Sequence, residues 1–221
     1  MIGPPPLPME RRRASKAQDP WGNTMIGRST ALVATAALLM AAPAAAQVPM
    51  TTETYFGHVD RFCLGAGGDP ALAIAAAEAE GWIAAPQAMV DEIVNPVAPE
   101  AVVRLNGPAD AAPARLILTS SPPMAGRGDM KVRVCMVEPA PAAAIDEAAL
   151  TALVETRLGL AAAILPVWAF SGTGPYTDRT ELMLGGMEAM ADHAATEPVY
   201  MLNLMPTDDG TPALGLLRLG E

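Results

Sequence analysis

The sequence predicts an α+β protein, an antiparallel sheet of about six or seven strands with N-terminal helices and one central helix packed on it. Three observations carry the prediction. Apolar residues recur at helical spacing as far as about residue 94. From residue 101 the period becomes that of strands. Short connections join the strand runs, which sets neighbours antiparallel.

Taken in order, residues 47–54 read as a loose tail. Tyr55, Val59, Phe62 and Cys63 then share one side of a helix ending at Gly65, with His58, Asp60 and Arg61 on the other. Gly65 to Gly68 is a turn. Asp69 followed by Pro70 starts a second helix, because a carboxylate accepts from the free N–H groups of a first turn and proline has none to lose. It runs to about Glu80 and stops at Gly81, beside which Trp82 is placed to plug the core. A third helix spans Pro86 to Val94, ended by Asn95, Pro96 and Pro99.

Strands are expected at Val102 to Asn106, Arg115 to Ser120 and Lys131 to Glu138. In the last, Val132, Val134 and Met136 share one face while Lys131, Arg133 and Cys135 share the other. Asp146 caps the clearest helix, whose apolar stripe is Ala149, Leu150, Leu153, Val154 and Leu158 before Gly159. Leu165 to Ser171 reads as a strand carrying Trp168 and Phe170, with Gly172 to Pro175 as its turn. Residues 180–191 fit both templates: the first part alternates, while Met183, Met187 and Met190 suit a helix interrupted by Gly185 and Gly186. Val199 to Met205 and Ala213 to Leu219 form a hairpin about Thr207, Asp208, Asp209 and Gly210. Residues 55–221 thus read as a single α+β domain, with no repeat of fixed period.

What precedes the domain reads as a leader. Met25 to Arg28 form a short basic opening, Ala31 to Met40 an apolar segment, Pro43 a helix breaker, and Ala44 to Ala46 a small-residue cleavage site. The cut is expected after Ala46, leaving Gln47 first. The run Arg11, Arg12, Arg13 lies too far from the apolar segment for a twin-arginine signal, and residues 1–24 read as a long basic leader or an unused upstream start. A stable anchor needs about 20 strongly apolar residues, which this Ala-rich, Pro-broken stretch does not provide.

Beyond residue 46 the chain has nine basic and 22 acidic residues. That excess repels phosphate backbones and anionic headgroups, so nucleic acid is excluded as a partner. Cys63 and Cys135 are the count that closes one bridge in an oxidising compartment, a tie worth roughly 4 kcal/mol in the chain-entropy description. Neither has a second Cys or a His at zinc-ligand spacing.

Phe62-Cys63-Leu64, the Gly81-Trp82 pair, the strand Val134-Cys135-Met136-Val137 and the closing Gly215-Leu216-Leu217-Arg218 together resemble small exported proteins of alphaproteobacteria. The resemblance implies a disulfide and a periplasmic address, and no activity.

Candidate chemistry is sparse. The only histidines are His58 and His193, and Ser120, Ser121 and Ser171 sit in no nucleophile-elbow pattern, so a hydrolase would have to assemble its site in space. Asp91 with Glu92, Asp146 with Glu147 and Asp208 with Asp209 have plain readings as a solvated face, a helix start and a turn. The Gly65, Gly67, Gly68 spacing fails as a dinucleotide loop, since a helix precedes it. Met183, Met187, Met190 and His193 form a thioether and imidazole set that suits Cu(I), against the plainer reading of methionine as core filler. No catalytic, metal or cofactor residue is assigned. The expected role is a non-enzymatic module that binds a partner protein or small ligand through its sheet or a cleft beside Trp82 and Trp168; a small hydrolase and a copper protein are the alternatives.

Overall fold

A threonine hydroxyl opens the first helix. In the computed structural model, which describes residues 49–141, 143–162 and 166–220, the Thr51 side chain accepts from the Thr54 N–H and α1 runs Thr52–Val59. The helix therefore takes in residues 52–54, which composition assigned to a tail. The leader and the cleavage site expected after Ala46 lie outside the described residues, as does Leu165.

From α1 the chain passes into a π turn over Asp60–Leu64. The wider turn lets Phe62, Cys63 and Leu64, three consecutive residues, all point into the interior. The Asp69 carboxylate then accepts from Ala71 and Leu72 N–H and starts α2, Pro70–Ala79. There follow β1 (Ile83–Ala84), α3 (Gln87–Ile93), β2 (Glu100–Leu105), β3 (Arg115–Ser120), β4 (Lys131–Glu138) and α4 (Glu147–Leu158). Asp146 accepts from the Ala149 N–H, and Gly159, at φ 68°, closes α4 in the left-handed conformation that glycine adopts without steric cost. The last part comprises β5 (Val167–Ser171), β6 (Thr177–Asp178), α5 (Thr180–Leu184), α6 (Gly186–Ala194), β7 (Val199–Pro206) and β8 (Pro212–Gly220).

The strands make one eight-stranded sheet in the order β1-β2-β3-β4-β8-β7-β5-β6, every pair antiparallel. The fold class is as expected, with a slightly higher strand count. The additions β1 and β6 are two residues each, too short to show a period. Residues 180–191, which fitted both templates, fall in helices α5 and α6, and the chain breaks between the two at Gly186, φ 73°.

Register sorts the side chains onto two faces. Leu118, Cys135 and Leu216 lie side by side on β3, β4 and β8, and so do Leu116, Val137 and Leu214. Beneath α1, α2 and α4 this face forms the main core with Tyr55, Phe62, Leu150, Val154, Trp168 and Phe170. Cys63 bonds Cys135 from the π turn, so the first helix covers the face opposite Val132, as the alternation required. A second cluster on the other face holds Met130, Met190, Ala191, Ala194, Val199 and Leu219 beneath α6, with Val132 packed against it.

Tyr55 joins the two layers at one point. Its buried hydroxyl donates to the Val137 carbonyl at 2.8 Å and accepts from the Leu214 N–H. Val137 and Leu214 are the last paired residues of β4 and β8; beyond them Glu138 stays with Arg115 on β3, while Ala213 and Pro212 stay with β7. The sheet forks there, and the phenol satisfies the two backbone groups that the divergence would strand. Removing it in Tyr55→Phe leaves a buried donor and a buried acceptor unpaired, each worth about 1–3 kcal/mol. Urea unfolding of this variant is therefore expected to show a loss of about 2–4 kcal/mol, and a loss below about 1 kcal/mol would show that the strands re-pair without it.

Candidate functional site

The fork that Tyr55 holds open is lined by chemistry. A cavity of about 290 Å³ lies between its arms, bounded by Arg115, Glu138 and Pro139 from the β3–β4 side and by Thr207, Asp208 and Asp209 from the β7–β8 turn. Met89 of α3, Ala109, Ala112 and Pro113 of the β2–β3 connection, and Pro141 supply an apolar wall.

Each part has a local cause. Arg115 and Glu138 are cross-strand partners, and the guanidinium bonds the carboxylate through Nε at 2.8 Å and through Nη2. Both bonds reach Oε2, so Oε1 has no partner among the described residues. In the β7–β8 turn, Asp209 accepts from the Thr207 hydroxyl and the Thr211 N–H, which holds its carboxyl below the usual carboxylate range. Asp208 beside it is exposed and has no polar partner among the described residues. Ala112 sits at φ 46°, ψ 58°, the one described residue other than glycine with positive φ. That conformation costs an L-residue roughly 1 kcal/mol, and such local strain gathers at ligand sites.

The other histidine and serine candidates lie elsewhere. His58 stacks on Phe62 with ring centroids 5.4 Å apart and meets Trp82 edge-on at 5.3 Å. Its Nδ1 is 3.4 Å from Glu80, a carboxylate that Arg61 also contacts. Burial, and then the Arg61 charge, lower the His58 pKa. No serine joins this box in the described contacts.

At the far side of the sheet, Glu197 is a hub. Arg179 approaches its Oε2 at 3.4 Å and His193 at 3.6 Å; the neighbouring Ser171, foremost, shifts the carboxyl below its ordinary range, though the buried Ser171 Oγ has no hydrogen-bond partner within bonding geometry among the described residues. Imidazole activation of a serine needs the histidine at the hub, between nucleophile and acid; here the acid occupies that place, and Ser171 is 0 % exposed. Ser121 is engaged in its turn, donating to the Pro122 carbonyl and accepting from the Val132 N–H. Ser120, buried at the end of β3, borders a separate groove of about 370 Å³ with Val90, Val94 and Val102.

The copper set is divided. Met183 belongs to α5 and the other three residues to α6, across the Gly186 break. Met190 is 7 % exposed and packs in the second core, whereas Met187 is 48 % exposed. Among the described residues no group of three or more His, Cys, Asp or Glu side chains is placed to hold a metal. Trp82 and Trp168 are 3 % and 1 % exposed and line none of these cavities; they plug the core rather than flank a cleft.

The carboxylate pairs keep their plain readings. Gln87 donates to Asp91 one turn along α3, and Asp146 caps α4. Tyr55, Arg115, Glu138 and Ala112 carry the cavity and have no sequence signature. Compared with known proteins, the chain matches no family model, no curated protein and no solved structure.

The lowered His58 pKa sets a pH dependence. In the window from about pH 6.5 downward, the unfolded chain binds a proton that the folded chain resists, so stability rises with pH there. The contribution is complete above the ordinary imidazole value and is lost as pH falls toward the folded one. His58→Phe keeps the aromatic stack and cannot titrate. Its urea midpoint is expected to change less between pH 7 and pH 5 than that of the parent protein, and equal slopes would show that His58 is not the group responsible.

Proposed function

We propose that this chain is an exported periplasmic protein that acts as a non-enzymatic binding module, with its ligand site in the cavity where the sheet forks. The observation that carries the binding reading is that cavity itself: an apolar wall, one fixed ion pair and a left-handed alanine converge where the strand pairing ends. It is small, suited to a compact ligand. The hydrolase reading has less behind it, because in the cluster of Glu197, Arg179, His193 and Ser171 the carboxylate and not the imidazole stands at the centre.

The address rests on different observations. The Cys63–Cys135 bridge suits an oxidising compartment, and the Met25 to Ala46 stretch has the layout of a cleavable signal. No helix among the described residues is long and apolar enough to cross a membrane. The resemblance to exported alphaproteobacterial proteins points to the same address.

Two measurements test the two halves. Protein recovered from the periplasmic fraction is expected to begin at Gln47 with both sulfurs oxidised. Recovery in the cytosol with an uncut leader and free thiols overturns the address. For binding, a fragment screen by ligand-observed NMR is expected to give hits that Ala109→Phe, which fills the cavity, abolishes while leaving the melting transition in place. Hits that survive this substitution, or a screen without hits, remove the cavity from consideration.

A further inference from the structure

Resting on the reading of the fork as a ligand site, we infer that its ligand is a small organic cation, an alkylammonium with a short hydrocarbon body. The argument begins with charge. Of the nine cationic side chains in the described residues, Arg61, Arg104, Arg115, Arg127, Lys131, Arg157 and Arg179 are already ion-paired. Against them stand 22 acidic side chains in the chain beyond residue 46, so the surface keeps a large uncompensated negative charge.

The cavity reproduces this imbalance at close range. Its one cation, Arg115, is committed to Glu138 Oε2, and a ligand anion would have to displace that carboxylate. Three acids border the space, and only part of their capacity is used. Glu138 Oε1 has no described partner; Asp209 is satisfied by its own turn; Asp208 has none. An ammonium group has three donors and no acceptor, which suits a space whose open side-chain positions are carboxylate oxygens. The rest of the wall is carbon surface from Met89, Ala109, Ala112, Pro113, Pro139 and Pro141, together with Thr207, whose hydroxyl is engaged within its own turn by Asp209 and the Thr211 carbonyl. Such a wall rewards a hydrocarbon body and gives nothing to a sugar or a polyol. A volume of about 290 Å³ holds a body of a few carbons with its head.

The test uses the purified protein and isothermal titration at low ionic strength with three probes of one shape: n-hexylammonium, hexanol and hexanoate. Hexylammonium is expected to bind at least tenfold more tightly than either of the others and to weaken as salt is added. Asp208→Asn, on an exposed turn, is expected to weaken it about threefold, and Ala109→Phe to abolish it. Hexanol or hexanoate binding as tightly as hexylammonium overturns the charge preference and leaves the cavity as a site. No binding of any probe overturns the cavity itself. Hexylammonium binding that Ala109→Phe leaves intact places the amine elsewhere and overturns the assignment. N-acetyl-lysine methylamide is the remaining arm. Should it bind more tightly than hexylammonium, the natural occupant is a lysine side chain of a polypeptide, and the small-molecule assignment fails.

Discussion

A single hydroxyl group decides where this sheet stops being one sheet. Tyr55 stands between the Val137 carbonyl and the Leu214 N–H, and from that point β3 and β4 go one way while β7 and β8 go another. The phenol is fully buried and its pKa is raised, chiefly by that burial, so it is present as a neutral donor at any physiological pH. Everything at that end of the molecule depends on it. Arg115 and Glu138 keep their cross-strand pairing on one arm, the Thr207 to Thr211 turn is carried outward on the other, and the space between becomes a cavity rather than more ladder.

The helix that delivers Tyr55 is itself pinned several times over. Thr51 caps it and pairs with Ala144, and Thr52 receives the Asp146 N–H, so the start of α1 is tied to the segment leading into α4. At its other end the π turn brings Cys63 over Cys135 on β4. The bridge closes a long loop, and the constraint it places on the unfolded chain contributes about 4 kcal/mol in the chain-entropy description. It also forbids α1 from sliding along the sheet, which would carry the phenol away from the fork.

Much of this was legible in the sequence wherever the signal was local. Asp69 with Pro70, and Asp146 with Gly159, mark α2 and α4 because caps act within one turn. The strands β3 and β4 follow from alternation alone, and the Cys63–Cys135 partnership follows from there being two cysteines. What was not legible is long-range. Arg115 and Glu138 meet only because β3 and β4 share a register, and Tyr55 reaches Leu214 across 159 positions of sequence. Ala112 looks like any alanine until its backbone angles are known. The methionines of residues 180–191 could not be read as helix or strand because the sheet face beneath them, Val199 and Leu219, decides the matter.

That second, sulfur-rich layer has its own chemistry. Met130 and Met190 are buried under α6 with Met124 and Met201 at their edges, while Met187 on the same helix faces outward. Thioethers fill uneven space well, yet peroxide turns them into polar sulfoxides that such a layer cannot accommodate. On exposure to such an oxidant, damage would begin at the outward sulfur and proceed inward beneath α6. The opposite face, tied by a linkage already at its oxidised end point, would outlast it.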